Sequence, residues 1–350
     1  MGGGQAVGFG LGLVLGGVFC DTVGWRWGVY TTAMLNGAVL ALAVWALPLE
    51  IDGNPFKWAM ISRLHKEIDW VGAAIVSTSL ALLSYELAVF SGAHADRHIR
   101  QPINGSIICV AILLLPIFGF WMRFQVNRGR PALVPNSLWS NMPFKAVCAT
   151  VFLVWGALNA SEQLTALYLQ DIRGISALTS SLYFLPAPIC GTLMNIAVAL
   201  LLPRLNPAYA VAAGCLASGI APLQLATLCR VDRPSYWQAV FPAMALNPMG
   251  ADLIYVVANL VVTEAFPAKM QALAGGVFHM LSQIGKSVGI ATTAVIAQQI
   301  SASTGGPDAK GSLLQGYRAG WWYNCAMGFA SVLVSFWGLR KVRRLGVKRD

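Results

Sequence analysis

"INGSIICVAILLLPIFGFWM", residues 103–122, runs for twenty residues without a charged side chain. A hydrocarbon core about 30 Å thick takes ~20 apolar residues of helix to cross. The run is continuous rather than alternating, so it reads as a helix. A helix satisfies all its backbone groups within one segment, as lipid demands. Runs of similar length recur at roughly 4–21, 27–48, 69–90, 146–169, 178–202, 208–228, 236–262, 272–300 and 320–339, giving ten expected spans with 103–122. The composition fits this reading. Charged residues make up 11% of the chain, against ~25% in a soluble domain. Hydrophobic residues make up 57%, and the mean hydropathy is +0.63. The fold class expected is an all-α membrane protein.

The polar stretches between the runs set orientation and boundaries. Lys57, Arg63, Lys66, Arg123, Arg128, Arg130, Lys145, Arg204, Lys269 and the basic tail from Arg340 to Arg349 fall on one side. The other side holds fewer, among them Arg26, Arg97, Arg100, Arg173, Arg230, Arg233, Lys310 and Arg318. The positive-inside rule makes the first side cytoplasmic, with both termini on it. The polar links at 49–68 and 123–145 divide the chain into residues 1–48, 49–145 and 146–350, with two, two and six spans. The net charge of +10 resides in loops and tail, which argues against nucleic acid as a partner. None of the seven cysteines has metal-ligand spacing. His94 and His98 are four apart but lie in a short loop, where a solvated pair is the simpler reading.

The charges inside the runs carry the chemistry. Asp252 interrupts "ALNPMGADLIYVVANL", residues 245–260. A charge at the bilayer centre costs roughly 2.5–3.5 kcal/mol on insertion scales, so such groups face a cavity or a partner. Asp252, Tyr255 and Asn259 share one helix face. Asn247, Pro248 and Gly250 can loosen the helix just before the acid. A carboxyl held there can load and release a proton. His279, Gln283 and Lys286 share a face of the next span, at a depth similar to that of Asp252. An Asp252–Lys286 ion pair is the competing, purely structural reading. Asn159, Glu162 and Gln163 cluster in the fifth span. Trp155, Asn195 and Gln224 could also line a cavity.

In the first span Gly8, Gly12 and Gly16 recur every fourth residue, with Gly17 beside them. Such a strip lets another helix approach closely. The stretch resembles the antiporter signature of the major facilitator superfamily, G-x-x-x-G-P-x-x-G-G, with Leu13 where the signature has proline. Trp25-Arg26-Trp27 is similar to the W-R-W that precedes that family's sixth helix. "EIDWVGA" at 67–73, "PALVPNSLW" at 131–139, "YFLPAP" at 183–188 and "FPAKMQALAGGVF" at 266–278 follow in family order. Together they resemble the fourteen-span drug:proton antiporters of the fungal type, from the fifth helix onward.

The resemblance implies a partial fold of about ten transmembrane helices. Residues 1–48 would be the remnant of an N-terminal bundle (family helices 5 and 6). Residues 49–145 would carry two additional linker helices, and 146–350 a C-terminal six-helix bundle with a basic cytoplasmic tail. It sets the fifth span against a central cavity, which makes Glu162 a second candidate for proton or cationic-substrate binding beside Asp252. It gives Glu86, in a linker helix, a peripheral role. The function implied is proton-coupled export of small amphiphilic organic compounds. Two alternatives stand beside it: a carrier for a small polar solute such as ammonium or borate, and a transport-inactive membrane protein lacking four helices. The expected partners are a substrate, protons and the bilayer, with no cofactor and no metal, in a monomer. The plasma membrane is the expected location, with the vacuolar membrane as the alternative. "IGKSVG" at 284–289 has Met280 where a phosphate-binding loop needs glycine. HExxH is absent from the sequence, and an enzyme is not expected.

Overall fold

The computed structural model describes residues 2–46, 69–90, 101–130, 133–134, 136–201, 206–232, 235–304 and 309–340. The link at 49–68, His94 and His98, and the tail at 341–350 lie outside the described residues. Among those described, the fold is helical throughout, with no strand. The helices are α1 (Gly2–Asp21), α2 (Trp25–Ala46), α3 (Trp70–Phe90), α4 (Pro102–Asn127) and α5 (Met142–Leu167, running on through a π-turn at Tyr168–Ile172). They continue as α6 (Ala177–Tyr183), α7 (Pro186–Leu201), α8 (Pro207–Leu228), α9 (Val240–Leu246), α10 (Met249–Ala265), α11 (Ala268–Thr304) and α12 (Ala309–Leu339).

Among the described residues, eight helical stretches are long and apolar enough to cross a membrane. Two of the ten expected spans fall short of that measure. Residues 4–21 lie within the 20-residue α1, in which Val7–Asp21 stands as a shorter apolar stretch. The run at 320–339 lies within α12, whose 31 residues also carry Gln315, Arg318 and Asn324.

Two of the expected spans are broken helices. Pro186 lacks an N–H and disfavours helical backbone at Leu185, so one run divides into α6 and α7. Asn247 and Pro248 divide another into α9 and α10. Ser218 on α8 bridges this second break. Its hydroxyl donates to the Asn247 carbonyl at 2.6 Å and accepts from the Gly250 N–H at 2.8 Å.

α5 is the hub, packed against α8, α10, α11 and α12. Lipid tails are as apolar as leucine, so helices in a membrane are held by close packing rather than by hydrophobic drive. Glycine supplies that closeness here. Gly285 of α11 lies against the Phe152 backbone, and Gly289 against Gly156 of α5. At the far end of α5, Tyr168 meets Trp321 edge-on at 5.7 Å and donates to the Arg230 carbonyl at 2.8 Å.

α3 and α4 form a pair, and α3 also touches α11. Asp69 caps α3 through the Gly72 N–H at 2.9 Å and accepts from the Trp121 indole at 3.1 Å. That accounts for the acid in the "DWVG" stretch. Glu86 is fully buried in this pair, and neither carboxyl oxygen has a hydrogen-bond partner. α2 has no buried residue.

α1 packs on α6 and α7, but not through the face expected from sequence. Gly8, Gly12 and Gly16 are exposed, and a side chain added there would meet nothing within 4 Å. The buried glycines are Gly10, against Pro188, and Gly17, against Ser181 and Leu178. They are seven apart, two turns of helix, so the contact face is rotated away from the fourfold repeat. Asp21 closes the interface by accepting the Leu178 N–H of α6 at 2.9 Å.

Candidate functional site

A cavity of about 240 Å³ lies where α1, α5, α7, α10 and α11 converge. Each helix supplies its wall for a local reason. From α5 come Trp155, Leu158, Asn159 and Glu162, and from α11 come Gln283 and Lys286. These faces meet because the glycine contact holds the two helices together. From α10 come Asp252 and Tyr255, just past the Asn247–Pro248 break. From α7 come Ala187, Pro188, Gly191 and Asn195, and from α1 comes Phe9.

The break puts Asp252 in the first turn of α10, where unpaired N–H groups and the helix dipole favour a negative group. Its Oδ2 is buried without a hydrogen-bond partner. Gly191 makes the room: a Cβ there would stand 2.8 Å from that oxygen. Asn195, one turn further along α7, donates to the Gly191 carbonyl at 2.9 Å.

Glu162 faces two groups from other helices. One is the Lys286 ammonium, and the other is the Asn247 amide at the break, which also reaches the Leu158 carbonyl at 3.4 Å. Lys286 therefore acts electrostatically on Glu162, and neither Glu162 nor Asp252 closes an ion pair with it. α5 and α11 are in backbone contact, whereas Asp252 approaches from α10 and turns toward α7. Asn159 spends its amide on the Trp155 carbonyl at 2.9 Å.

Of the residues singled out in sequence, the cavity gathers Asp252, Glu162, Asn159, Tyr255, Gln283 and Lys286. His279 touches its edge through Tyr255, with Nε2 3.5 Å from the hydroxyl. Asn259 points away. It is exposed and donates to the Tyr255 carbonyl at 3.0 Å. Gln163 also leaves the group, because neighbouring residues on a helix diverge by about 100°. It lines a second cavity of about 570 Å³ between α5, α11 and α12, with Thr293, Gln298 and Tyr317. Gln224 lies elsewhere, its Oε1 buried without a partner. Sequence reasoning missed Phe9 and Gly191 and placed Asn247 only at the helix break. A phenylalanine and a glycine inside apolar runs gave no signal.

Among the described residues, no cluster of His, Cys, Asp and Glu could hold a metal ion. All seven cysteines are free thiols.

An arrangement of two carboxyls, one lysine and aromatic walls inside a helical bundle can bind an amphiphile and exchange a proton. Comparison with known proteins bears on what kind of bundle it is. The chain is 33% identical to MFS-type transporter 1 of Pyricularia oryzae, over 98% of this chain and 63% of that protein. It is 22% identical to the efflux pump terJ of Aspergillus terreus, over 91% of this chain and 58% of that one. It is 21% identical to the low affinity ammonium transporter of Saccharomyces cerevisiae, over 93% and 60%. The chain thus spans about six-tenths of the length of these curated relatives. The family profile described as Major Facilitator Superfamily matches residues 1–290. With that match over most of its length, this multi-pass membrane chain belongs to the major facilitator superfamily of transporters.

Proposed function

We propose that the full-length gene product is a proton-coupled secondary transporter exporting small amphiphilic organic compounds, of the fourteen-span antiporter branch. One observation carries the reading. Glu162 and Asp252, on two different helices, open into one cavity walled by Trp155, Tyr255 and Phe9, beside a broken helix. Discontinuous helices at a midplane site are how secondary transporters commonly build a binding centre. A few polar groups in an apolar, aromatic chamber orient a ligand without demanding one shape. A proton on Glu162 or Asp252 returns inward as the substrate leaves. The efflux-pump relative supports the direction of transport.

In this reading α1 and α2 correspond to family helices 5 and 6, within residues 1–48. Residues 49–145 are the two linker helices with their flanking loops, and 146–350 the C-terminal bundle and tail. Both termini face the cytoplasm, and the carrier works as a monomer in the plasma membrane or the vacuolar membrane.

A second reading is transport of a small polar solute. The cavity volume supports it, because about 240 Å³ lies below the roughly 300–1,000 Å³ of drug-sized pockets. The ammonium-transporter relative supports it too.

Proteoliposomes carrying the full-length product and an imposed proton gradient separate the two. Gradient-driven movement of ethidium, abolished by a protonophore, is the expected result. Glu162→Gln or Asp252→Asn should lower it by about tenfold or more, equal to about 1.4 kcal/mol of lost coupling. Movement of methylammonium but not ethidium would favour the second reading. Full coupled transport in both variants would remove these acids from the mechanism.

A further inference from the structure

We propose that the groove between the start of α5 and the end of α12 is a binding site for an anionic glycerophospholipid of the adjacent leaflet. The groove has a volume of about 610 Å³. Ala146 and Ala149 form one side, and Leu333, Phe336, Trp337 and Gly338 the other. The floor is narrow because Gly338 lies directly against the Ala146 methyl group. The Leu333 and Trp337 side chains are 73% and 58% exposed, so the groove opens outward, away from the transport cavity. Its wall is wholly apolar along the length an acyl chain would occupy.

The rim is basic. Lys145 lines one edge, and the Arg340 guanidinium stands over the Trp337 ring at 5.6 Å on the other. Lys145 lies in the first turn of α5, where the helix dipole favours an anion and disfavours a cation. A lysine placed against the dipole is explained if a negative group belongs between it and the helix end. Only an amphiphile with an anionic head and an aliphatic tail matches both halves of the site. Basic pockets between helix ends on the cytoplasmic side are where anionic headgroups dock. A tryptophan at that depth suits the membrane interface. The Lys/Arg distribution of the sequence assigns this end to the cytoplasm.

The test is lipid retention by the full chain, purified in detergent and titrated with 1-palmitoyl-2-oleoyl-phosphatidylserine or the matching phosphatidylcholine, read by native mass spectrometry. Phosphatidylserine should be held about 10- to 30-fold more tightly, the worth of two basic side chains at a membrane surface. Lys145→Ala with Arg340→Ala should bring the ratio close to one while leaving phosphatidylcholine retention unchanged. Both side chains are exposed, so the double variant keeps the packed bundle. Ala149→Trp, which fills an exposed groove position, should lower retention of both lipids about tenfold. Equal binding of the two lipids by the parent chain would overturn the assignment. So would a serine-lipid preference that survives the double variant, or retention of both lipids by Ala149→Trp.

Discussion

Gly191→Ala probes the site most sharply. The added methyl would stand 2.8 Å from Asp252 Oδ2, against 3.4 Å for ordinary contact, so 0.6 Å must be found. The carboxyl can turn away, at about 0.5–1.5 kcal/mol for an off-rotamer side chain. Alternatively α7 shifts, at the 1–3 kcal/mol typical of overpacking. Against this, alanine is a better helix former than glycine by about 0.8–1 kcal/mol. In the parent chain the gain offsets part of the cost, leaving a net change between about zero and 2 kcal/mol destabilising.

The informative experiment is therefore a double-mutant cycle. In an Asp252→Ala background the obstructing oxygen is gone, and Gly191→Ala should become stabilising by about 1 kcal/mol. The sign of the substitution should reverse between the two backgrounds. Apparent unfolding midpoints from intrinsic tryptophan fluorescence in detergent measure this, with proton-driven efflux recorded alongside. Equal shifts in both backgrounds would show that Gly191 and Asp252 do not touch, and the account of how the acid is seated would fail.

Other consequences can be checked the same way. Ser218→Ala leaves the Asn247 carbonyl and the Gly250 N–H without their bridge, so it should cost about 2–6 kcal/mol at 1–3 per buried unsatisfied group. A change under 0.5 kcal/mol would mean that the break is held by something else. Gly17→Ala should destabilise by about 1–3 kcal/mol, because its methyl meets Ser181 and the Leu178 backbone. Gly16→Ala should be neutral to slightly stabilising, and equal effects would contradict the register of α1. Asp21→Ala should cost about 0.5–1.5 kcal/mol by freeing the Leu178 N–H in the first turn of α6. Hydrogen exchange at the first turn of α6 would report it, and unchanged protection would rule out the bond.

The spans were legible because lipid imposes length and apolarity on each segment separately. The acid at 252 was legible as an anomaly, and so was the broken helix ahead of it, since Pro248 acts on its own backbone. What could not be read was rotation. The glycine repeat at 8, 12 and 16 gives a plausible face, yet Gly10 and Gly17 make the contact. In lipid every face of a helix is nearly equally apolar, so periodicity carries little information about which face is buried. Gln163 was grouped with Glu162 for the same reason. Which acid feels the Lys286 charge depends on interhelical distance, which the glycine contact at 156 and 289 determines. Gly191 had no signal at all, because its role is the absence of atoms beside a residue sixty positions away.

The backbone contact between α5 and α11 has a mechanical consequence. Two helices touching main chain to main chain have no compressible layer of side chains between them, so they travel as one strut. Glu162 and Lys286 ride on that strut, so their backbones keep their separation as long as the glycine contact holds. The play in the machine then falls to the short limb that starts after Pro248. A change in the chamber's shape would then be carried by Asp252 rather than by Glu162 and Lys286.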